Sequence, residues 1–127
     1  MPYKEELWRQ GLLEGRSMRY RPLGGSMIPF IREGDIATIV PGDRCRVGDI
    51  VLYRRGRNLV MHRAVAKLAG QIITKGDALP GLDPPITPWD ILGRAVAYER
   101  HGKKRSLDSL SSRLLGLAFS LTLAWIP

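Results

Sequence analysis

A serine lies behind two glycines, with a proline three residues further on, in residues 24–29 (Gly-Gly-Ser-Met-Ile-Pro). A serine hydroxyl is a weak nucleophile until a neighbouring base accepts its proton. The two glycines permit tight backbone geometry and close approach of a peptide, and Pro29 fixes the dihedral φ just after the serine. On its own this hexapeptide is typical of an ordinary turn with a capping serine. A nucleophilic role for Ser26 therefore depends on the residues that follow it.

One histidine and two aspartates downstream are of the types that such a serine needs. His62 falls inside a predicted strand, and a neutral histidine, with an ordinary pKa of about 6.5, accepts a proton at neutral pH without deep burial. Asp77 ends a Lys-Gly-Asp sequence, and Asp83 follows six residues later. A carboxylate behind His62 would fix the tautomer of the imidazole and stabilise the imidazolium formed during attack. By itself, His62 is more typical of a strand histidine bonded to backbone groups.

Two lysines are alternative bases, and each fits less well. Lys67 lies five residues past His62, so it points to the opposite face of an uninterrupted strand. Lys75 belongs to the Lys-Gly-Asp sequence in a predicted loop. A lysine base must also be desolvated to lower its pKa from about 10.4. His62 is therefore the predicted base.

Further sequence clusters follow Ser26 along the chain: Gly34-Asp35, Val47-Gly48-Asp49-Ile50-Val51, Met61-His62-Arg63, Thr74-Lys75-Gly76-Asp77 and Gly93-Arg94. Each cluster is weak alone. Together, in this order and spacing, they resemble the type I signal peptidase family, whose clan also contains the LexA-like self-cleaving repressors. The resemblance covers residues 23–99, which is most of the chain.

This resemblance implies a serine endopeptidase built on a coiled β-sheet. Typical bacterial members use a Ser–Lys dyad, with the lysine on the strand after the Val-Gly-Asp sequence. Here that strand carries His62, which is similar to the endoplasmic-reticulum and archaeal branch, where a histidine replaces the lysine. By this resemblance Ser26 is the nucleophile, His62 the general base and Asp83 the acid that orients it, with Asp77 as the competing choice. Small residues next to the cleavage point are also implied.

The oxyanion site departs from the family pattern. Family members often carry a hydroxyl two residues before the nucleophile, where this sequence has Gly24. The main-chain N–H of Ser26 would then be the main donor, and loss of one donor costs on the order of a hundredfold in rate. The residues expected to form the substrate and oxyanion site are Gly24, Gly25, Met27 and Pro29.

Two other functions stay open beside the endopeptidase. One is a non-catalytic peptide-binding module on the same fold, with the glycine at position 24 marking lost activity. The other is a LexA-like regulatory peptidase that cleaves itself or a partner. For the endopeptidase, the expected substrate is an extended peptide or protein segment that adds as a strand beside a sheet edge.

Short apolar runs between glycine- and proline-rich turns predict a mainly β protein. We expect a single domain over residues 1–127, with an N-terminal helix (1–16), a catalytic β core (17–100) and a C-terminal helix (106–127). The core is predicted to be a coiled antiparallel sheet or partly closed barrel of the signal peptidase/LexA-like type. The finer predictions are helices over residues 3–14 and 107–126, strands over 17–22, 36–40, 50–53, 59–68, 71–74 and 91–99, a hairpin connection over 55–58, a loop over 76–88 and a basic turn over 100–105.

Charge and composition limit the partners. The formal net charge is +8, but no aromatic-rich or helix-turn-helix pattern accompanies it, which argues against sequence-specific nucleic-acid binding. The single Cys45 cannot form an intramolecular disulfide and is predicted to be structural. With only two histidines, a His/Cys metal site is not expected, and no cofactor is predicted. The second of them, His101, is predicted to lie at the surface.

The apolar run over residues 114–126 predicts a C-terminal helix. Its 13 residues fall short of the roughly 20 that span a bilayer. The first expectation is a core or homo-oligomer interface helix. The alternative is an anchor at a membrane surface, because four cations lie just upstream of the run. The sequence predicts no signal peptide and a cytoplasmic or peripheral membrane location. Those four cations are Lys103, Lys104, Arg105 and Arg113.

Overall fold

The computed structural model describes residues 10–12, 14–42 and 45–124, with residues 123–124 described by their backbone alone. Residues 10–12 are helical and Glu14 lies in a turn. The rest of the helix predicted over residues 3–14 lies outside the described residues, as do the last two residues of the helix predicted over 107–126.

Seven strands form one antiparallel sheet, which confirms the predicted mainly β fold. The strands are β1 (Met18–Tyr20), β2 (Ile36–Pro41), β3 (Ile50–Arg55), β4 (Asn58–Leu68), β5 (Gln71–Lys75), β6 (Ile91–Arg100) and β7 (Lys103–Ser106). The order across the sheet is β1-β2-β6-β3-β4-β5, and β7 pairs with β6. Since β1 and β5 stand at opposite ends of this order, the sheet is open and does not close into a barrel.

The segment predicted as a basic turn over residues 100–105 is instead a hairpin. Strand β6 continues to Arg100, and β7 returns beside it with Arg100 opposite Lys103. The turn itself has two residues, His101 and Gly102, with φ of 53° and 76°. A two-residue hairpin turn requires such left-handed dihedrals, and glycine adopts them without strain. The prediction was wrong because residues 103–106 are charged or polar and lack the alternating apolar residues by which a strand is recognised.

Strand β3 divides the core into two parts. Its first four residues are all buried, and alternate side chains project to opposite faces of the sheet. Ile50 and Leu52 join the larger cluster, and Val51 and Tyr53 join the smaller one. The larger cluster contains Leu12, Met27, Ile31, Ala37, Ile39, Ile50, Leu52, Met61, Leu92 and Ala95. The smaller cluster contains Cys45, Val51, Tyr53, Ala64, Ile72 and Ile86.

Strand β4 lies between β3 and β5, and each of them pairs with only part of its length. Strand β3 pairs with residues 58–63 and β5 with residues 63–68. Among the described strands, none pairs with residues 58–62 on the side away from β3. An edge of this kind exposes backbone N–H and C=O groups to any extended segment that approaches it.

The C-terminal helix α1 (Leu110–Ala124) begins three residues later than predicted. The N–H of Leu107 still bonds to the carbonyl of Val96 in β6 at 2.8 Å. Ser109 Oγ then accepts the N–H of Ser112 at 3.1 Å, which is the bond of an N-cap residue. In the described part of the chain, no helix is long and apolar enough to cross a membrane.

In helix α1 the usual distribution of side chains is reversed, with small residues facing the sheet and large apolar residues facing outward. The face against the sheet carries Gly116 and Ser120, both buried. A Cβ at position 116 would collide with the guanidinium of Arg63 in β4, so this close approach requires glycine. The large apolar side chains point outward and are exposed: Leu110, Leu114, Leu115, Phe119 and Leu121.

Candidate active site

Three of the predicted site residues form one continuous chain of hydrogen bonds. His62 Nε2 lies 3.2 Å from Ser26 Oγ, and His62 Nδ1 lies 2.6 Å from Asp83 Oδ2. An ionised carboxylate accepts hydrogen bonds only, so Nδ1 carries the proton and Nε2 presents its lone pair to the serine hydroxyl. This is the arrangement in which a histidine can remove the proton of a serine nucleophile.

A polar cluster holds the Asp83 carboxylate. Besides His62, Asp83 Oδ2 accepts the Thr74 hydroxyl at 2.8 Å and the Tyr53 hydroxyl at 3.3 Å. Arg55 NH2 donates to Tyr53 at 2.9 Å and lies 3.8 Å from Asp83 Oδ1. Burial would raise the pKa of the Asp83 carboxyl, but the hydrogen bonds from His62 and Thr74, together with the nearby charge of Arg55, keep the pKa below its usual range. Asp83 therefore stays ionised behind His62.

The backbone also fixes Asp83 beneath the histidine. Its N–H donates to the carbonyl of Thr74, at the end of β5, at 2.8 Å. Further along the same loop, Ile86 exchanges two backbone hydrogen bonds with Ile72, of 2.8 and 2.9 Å. The loop that carries the acid is thus attached to β5 at Asp83 itself and again at Ile86, although its composition predicts only irregular structure.

The turn that carries Ser26 is anchored by the segment after β5. The N–H of Ala78 donates to the carbonyl of Ser26 at 2.9 Å, and Met27 is buried in the larger core. A Cβ at Gly76 would lie 2.9 Å from the Ser26 carbonyl oxygen and 3.2 Å from His62 Nε2. Glycine at position 76 therefore allows the backbone to pass directly beside the serine and the histidine.

Asp77 makes a different interaction from Asp83. Its two carboxylate oxygens accept Arg63 Nε at 2.9 Å and Arg63 NH2 at 2.7 Å, and both residues are buried. Arg63 NH1 also donates to the carbonyl of Gly48 at 2.8 Å. The carboxylate of Asp77 is thus engaged by Arg63, whereas that of Asp83 is engaged by His62. Arg63 follows His62 in β4, so the two side chains project to opposite faces of the sheet.

Of the predicted substrate and oxyanion residues, Gly24 and Met27 line the same groove as Ser26, whereas Gly25 and Pro29 are not among the residues that line it. Gly24 has a φ of 79°, and the peptide bond between Ile28 and Pro29 is cis. Among the described residues, the main-chain N–H of Ser26 has no hydrogen-bond acceptor, so it is free to bind an oxyanion. The sulfur of Met27 accepts the N–H of Asp77 at 3.4 Å and has a structural role.

The remaining candidate side chains are engaged elsewhere. Lys67 Nζ bonds to the carbonyl of Cys45 at 2.8 Å. Lys75 Nζ is buried and bonds to the Gly76 carbonyl at 3.0 Å and to Ser120 Oγ of α1 at 3.3 Å. Burial raises the pKa of the Cys45 thiol to about 11, as expected for a structural cysteine. His101 is exposed in the β6–β7 turn. The described residues contain no cluster suited to a metal ion.

A groove of about 290 Å³ runs past Ser26 and His62. One wall comes from the chain after β1, and the other from the start of β4, where the strand edge is unpaired. Most of its lining residues are apolar or glycine, and Ser26, Arg55 and His62 add polar groups to its surface. The lining residues are Tyr20, Pro22, Leu23, Gly24, Ser26, Met27, Ile31, Arg55, Leu59, Val60, Met61 and His62.

Tyr53, Thr74 and Arg55 are site residues that the sequence did not reveal. The register places Val51 opposite His62, so Tyr53, two residues further along β3, shares the face of the histidine. Strand alternation predicts which residues within one strand share a face. It does not give the pairing between strands, so the cluster around Asp83 could be recognised only in three dimensions.

Comparisons of the chain with known proteins add no relative. No protein-family model, no curated protein and no solved structure matches it.

Proposed function

We propose that the protein is a serine endopeptidase whose nucleophile is Ser26. Within that class we propose a signal-peptidase-like enzyme of the type that uses histidine rather than lysine as its base. The observation that carries the proposal is the hydrogen-bonded chain from Ser26 through His62 to Asp83 beside an open groove. The order of the sequence clusters from Ser26 to Gly93-Arg94 supports the narrower assignment.

The proposed reaction follows from the positions of these atoms. Ser26 Oγ attacks the carbonyl carbon of the scissile peptide bond while its proton passes to His62 Nε2. Asp83 stabilises the imidazolium, and the N–H of Ser26 binds the oxygen that becomes negative. The C–N bond then breaks as His62 returns the proton to the leaving amine. Water then attacks the resulting ester with His62 again as base. The acyl C–O bond breaks, His62 returns the proton to Ser26 Oγ, and the second product leaves as a carboxylic acid.

The unpaired edge of β4 supports a peptide as the substrate. Residues 58–62 can form backbone hydrogen bonds to an added strand, and His62 ends this stretch. A peptide bound there lies in the groove and passes the serine. The backbone hydrogen bonds would supply affinity for any extended peptide. The side chains that line the groove would select among peptide sequences.

A fluorophosphonate probe tests the proposed nucleophile directly. Oγ of an activated serine displaces the fluoride and forms a P–O bond, which adds the mass of the phosphonyl group. We expect one such addition at Ser26 in the native protein, located by peptide mass spectrometry, and none in Ser26→Ala. In His62→Ala, labelling should slow at least about a hundredfold, because the base is gone. Equal labelling of native protein and His62→Ala would contradict the mechanism.

A non-catalytic peptide-binding module is the second candidate, favoured by Gly24 at the position of the family's hydroxyl donor. This module would bind peptides in the same groove without turnover. Absence of labelling, together with peptide binding that survives in Ser26→Ala, would support it over the enzyme.

We further propose that the outward face of α1 binds an anionic membrane surface. Leu114 and Leu115 are 56% and 64% exposed, and Phe119 also lies on this face. Phe119 contacts Phe30 edge to face, with ring centroids 5.5 Å apart, so the apolar surface extends to the turn that carries Ser26. The exposed basic strand β7, with Lys103, Lys104 and Arg105, ends four residues before α1 and supplies charge complementary to anionic lipid.

Vesicle sedimentation tests this surface. The native protein should bind vesicles of phosphatidylglycerol and phosphatidylcholine, and pure phosphatidylcholine far less. The triple variant Leu114→Ser/Leu115→Ser/Phe119→Ser should lose about tenfold or more in affinity, whereas Leu68→Ser/Trp89→Ser, exposed apolar residues elsewhere, should bind normally. A native dimer that the triple variant converts to a monomer, without any vesicle binding, would instead identify a homo-oligomer interface.

A further inference from the structure

Arg55 is the one permanently charged side chain among the residues that line the groove. Its position is set from behind: NH2 donates to the Tyr53 hydroxyl at 2.9 Å, and Cζ lies 5.5 Å from the centre of the Tyr53 ring. The side chain is 41% exposed. The described residues that line the groove include no carboxylate, and the carboxylate that pairs with Arg55, that of Asp83, lies behind it.

The Asp83 carboxylate does not use up the hydrogen-bonding capacity of Arg55. Asp83 Oδ1 forms an ion pair with Arg55 at 3.8 Å, which is longer than a hydrogen bond, and Asp83 Oδ2 is occupied by His62, Thr74 and Tyr53. Within the described part of the chain, Tyr53 Oη is the one hydrogen-bond acceptor that the guanidinium reaches. A guanidinium has five N–H donors, and a carboxylate can accept two of them side by side.

The strand register directs an added peptide toward Arg55. Asn58 lies opposite Arg55, and Val60 lies opposite Tyr53, so Arg55, Val60 and His62 share one face of the sheet. A peptide paired with the free edge of β4 would project every second side chain to that same face. Arg57 is exposed in the neighbouring turn and is not among the residues that line the groove, so it offers a matched control for Arg55.

We propose that Arg55 selects substrates that carry a carboxylate near the scissile bond. This inference rests on the proposed peptide-binding groove. The carboxylate belongs either to an aspartate or glutamate side chain within the bound segment or to the free C-terminus of a short peptide. Both sources present the same group to the guanidinium, and the apolar lining accepts the remaining side chains.

Matched peptides test the selection. A cleaved peptide is first identified from a mixed-sequence library. Aspartate is then placed at each position around the cleavage point and compared with asparagine, and a free C-terminus is compared with an amide. The native enzyme should cleave the best aspartate peptide at least about tenfold faster in kcat/KM than its asparagine partner. In Arg55→Gln that ratio should fall to about one, whereas Arg57→Gln should keep it.

Several outcomes would overturn the inference. If the native enzyme cleaves aspartate and asparagine peptides at equal kcat/KM at every position, and free and amidated C-termini equally, there is no selection for a carboxylate. A ratio that persists in Arg55→Gln assigns it to another residue. An equal fall in kcat for both peptides, with the ratio kept, would show that Arg55 only positions Asp83. If the native protein cleaves no peptide, binding of the same peptides to Ser26→Ala is measured by fluorescence anisotropy. Tighter binding of aspartate peptides that depends on Arg55 would uphold the inference, although the proposed catalysis fails. Equal binding of aspartate and asparagine peptides would contradict the inference as well as the proposed catalysis.

Discussion

Replacement of Ser26 or His62 by alanine is expected to lower kcat/KM for peptide cleavage on the order of ten-thousandfold or more. Ser26→Ala removes the atom that forms the covalent bond, and His62→Ala removes the base that activates it. The two residues act as one unit, so the double variant should be little worse than either single variant. The measurement is the rate of product formation from a library-derived peptide, followed by mass spectrometry.

Matched controls separate this loss from damage to the fold. Ser17→Ala and His101→Ala make the same chemical changes at exposed positions and should leave the rate unchanged. The thermal midpoint of Ser26→Ala should stay within a few degrees of the native value, because the side chain's one hydrogen bond to a described residue is with His62. Cleavage by Ser26→Ala at the native rate would show that the nucleophile lies elsewhere.

Conversion of the two aspartates to asparagine should produce opposite effects. Asp77→Asn places a neutral amide against the guanidinium of Arg63, which is only 3% exposed, so a buried charge loses its counter-ion. Breaking such a pair costs about 3–5 kcal/mol in free energy of unfolding, which lowers the thermal midpoint by about 10 °C or more in a domain of this size. The native chain and both variants would be compared by calorimetry.

Asp83→Asn should instead retain most of the stability and lose activity. The amide can hold His62 in the wrong tautomer, with the proton on the nitrogen that faces Ser26, and the imidazolium loses its counter-ion. An effect on the order of ten-thousandfold in kcat is expected from this change. If Asp83→Asn were the strongly unfolded variant and Asp77→Asn the inactive but stable one, the two aspartates would have exchanged roles.

The fold was largely predictable because its signals are local. Apolar, β-branched runs between glycine turns located six of the seven strands to within three residues at either end. The two-residue turns at positions 56–57 and 69–70 each contain a glycine, which marks the turn in the sequence. Strand β7 was missed because Lys103–Ser106 has no apolar alternation. It pairs with β6 because the His101-Gly102 turn directs it there. That cause becomes visible only when the backbone dihedrals are known.

The sequence predicted which residues meet at the candidate site, but it did not predict the residues that hold them in place. The types and order of Ser26, His62, Asp77 and Asp83 restricted the candidates, yet the sequence left the two aspartates open. Their partners depend on which face of β4 each neighbour occupies: His62 projects to one face and Arg63 to the other. Spacing along the chain carries no information about that pairing across 14 to 21 residues.

The reversed polarity of α1 also changes how tolerance to mutation is distributed along the chain. In most domains, leucines occupy buried positions that do not tolerate substitution, and glycine and serine occupy surface positions that do. In this helix the order is inverted, because Gly116 and Ser120 face the sheet while Leu114 and Leu115 face outward. A conservation profile of related chains would therefore show small residues held constant for folding. The large apolar residues on the outward face would vary with the membrane or protein surface that each related chain binds.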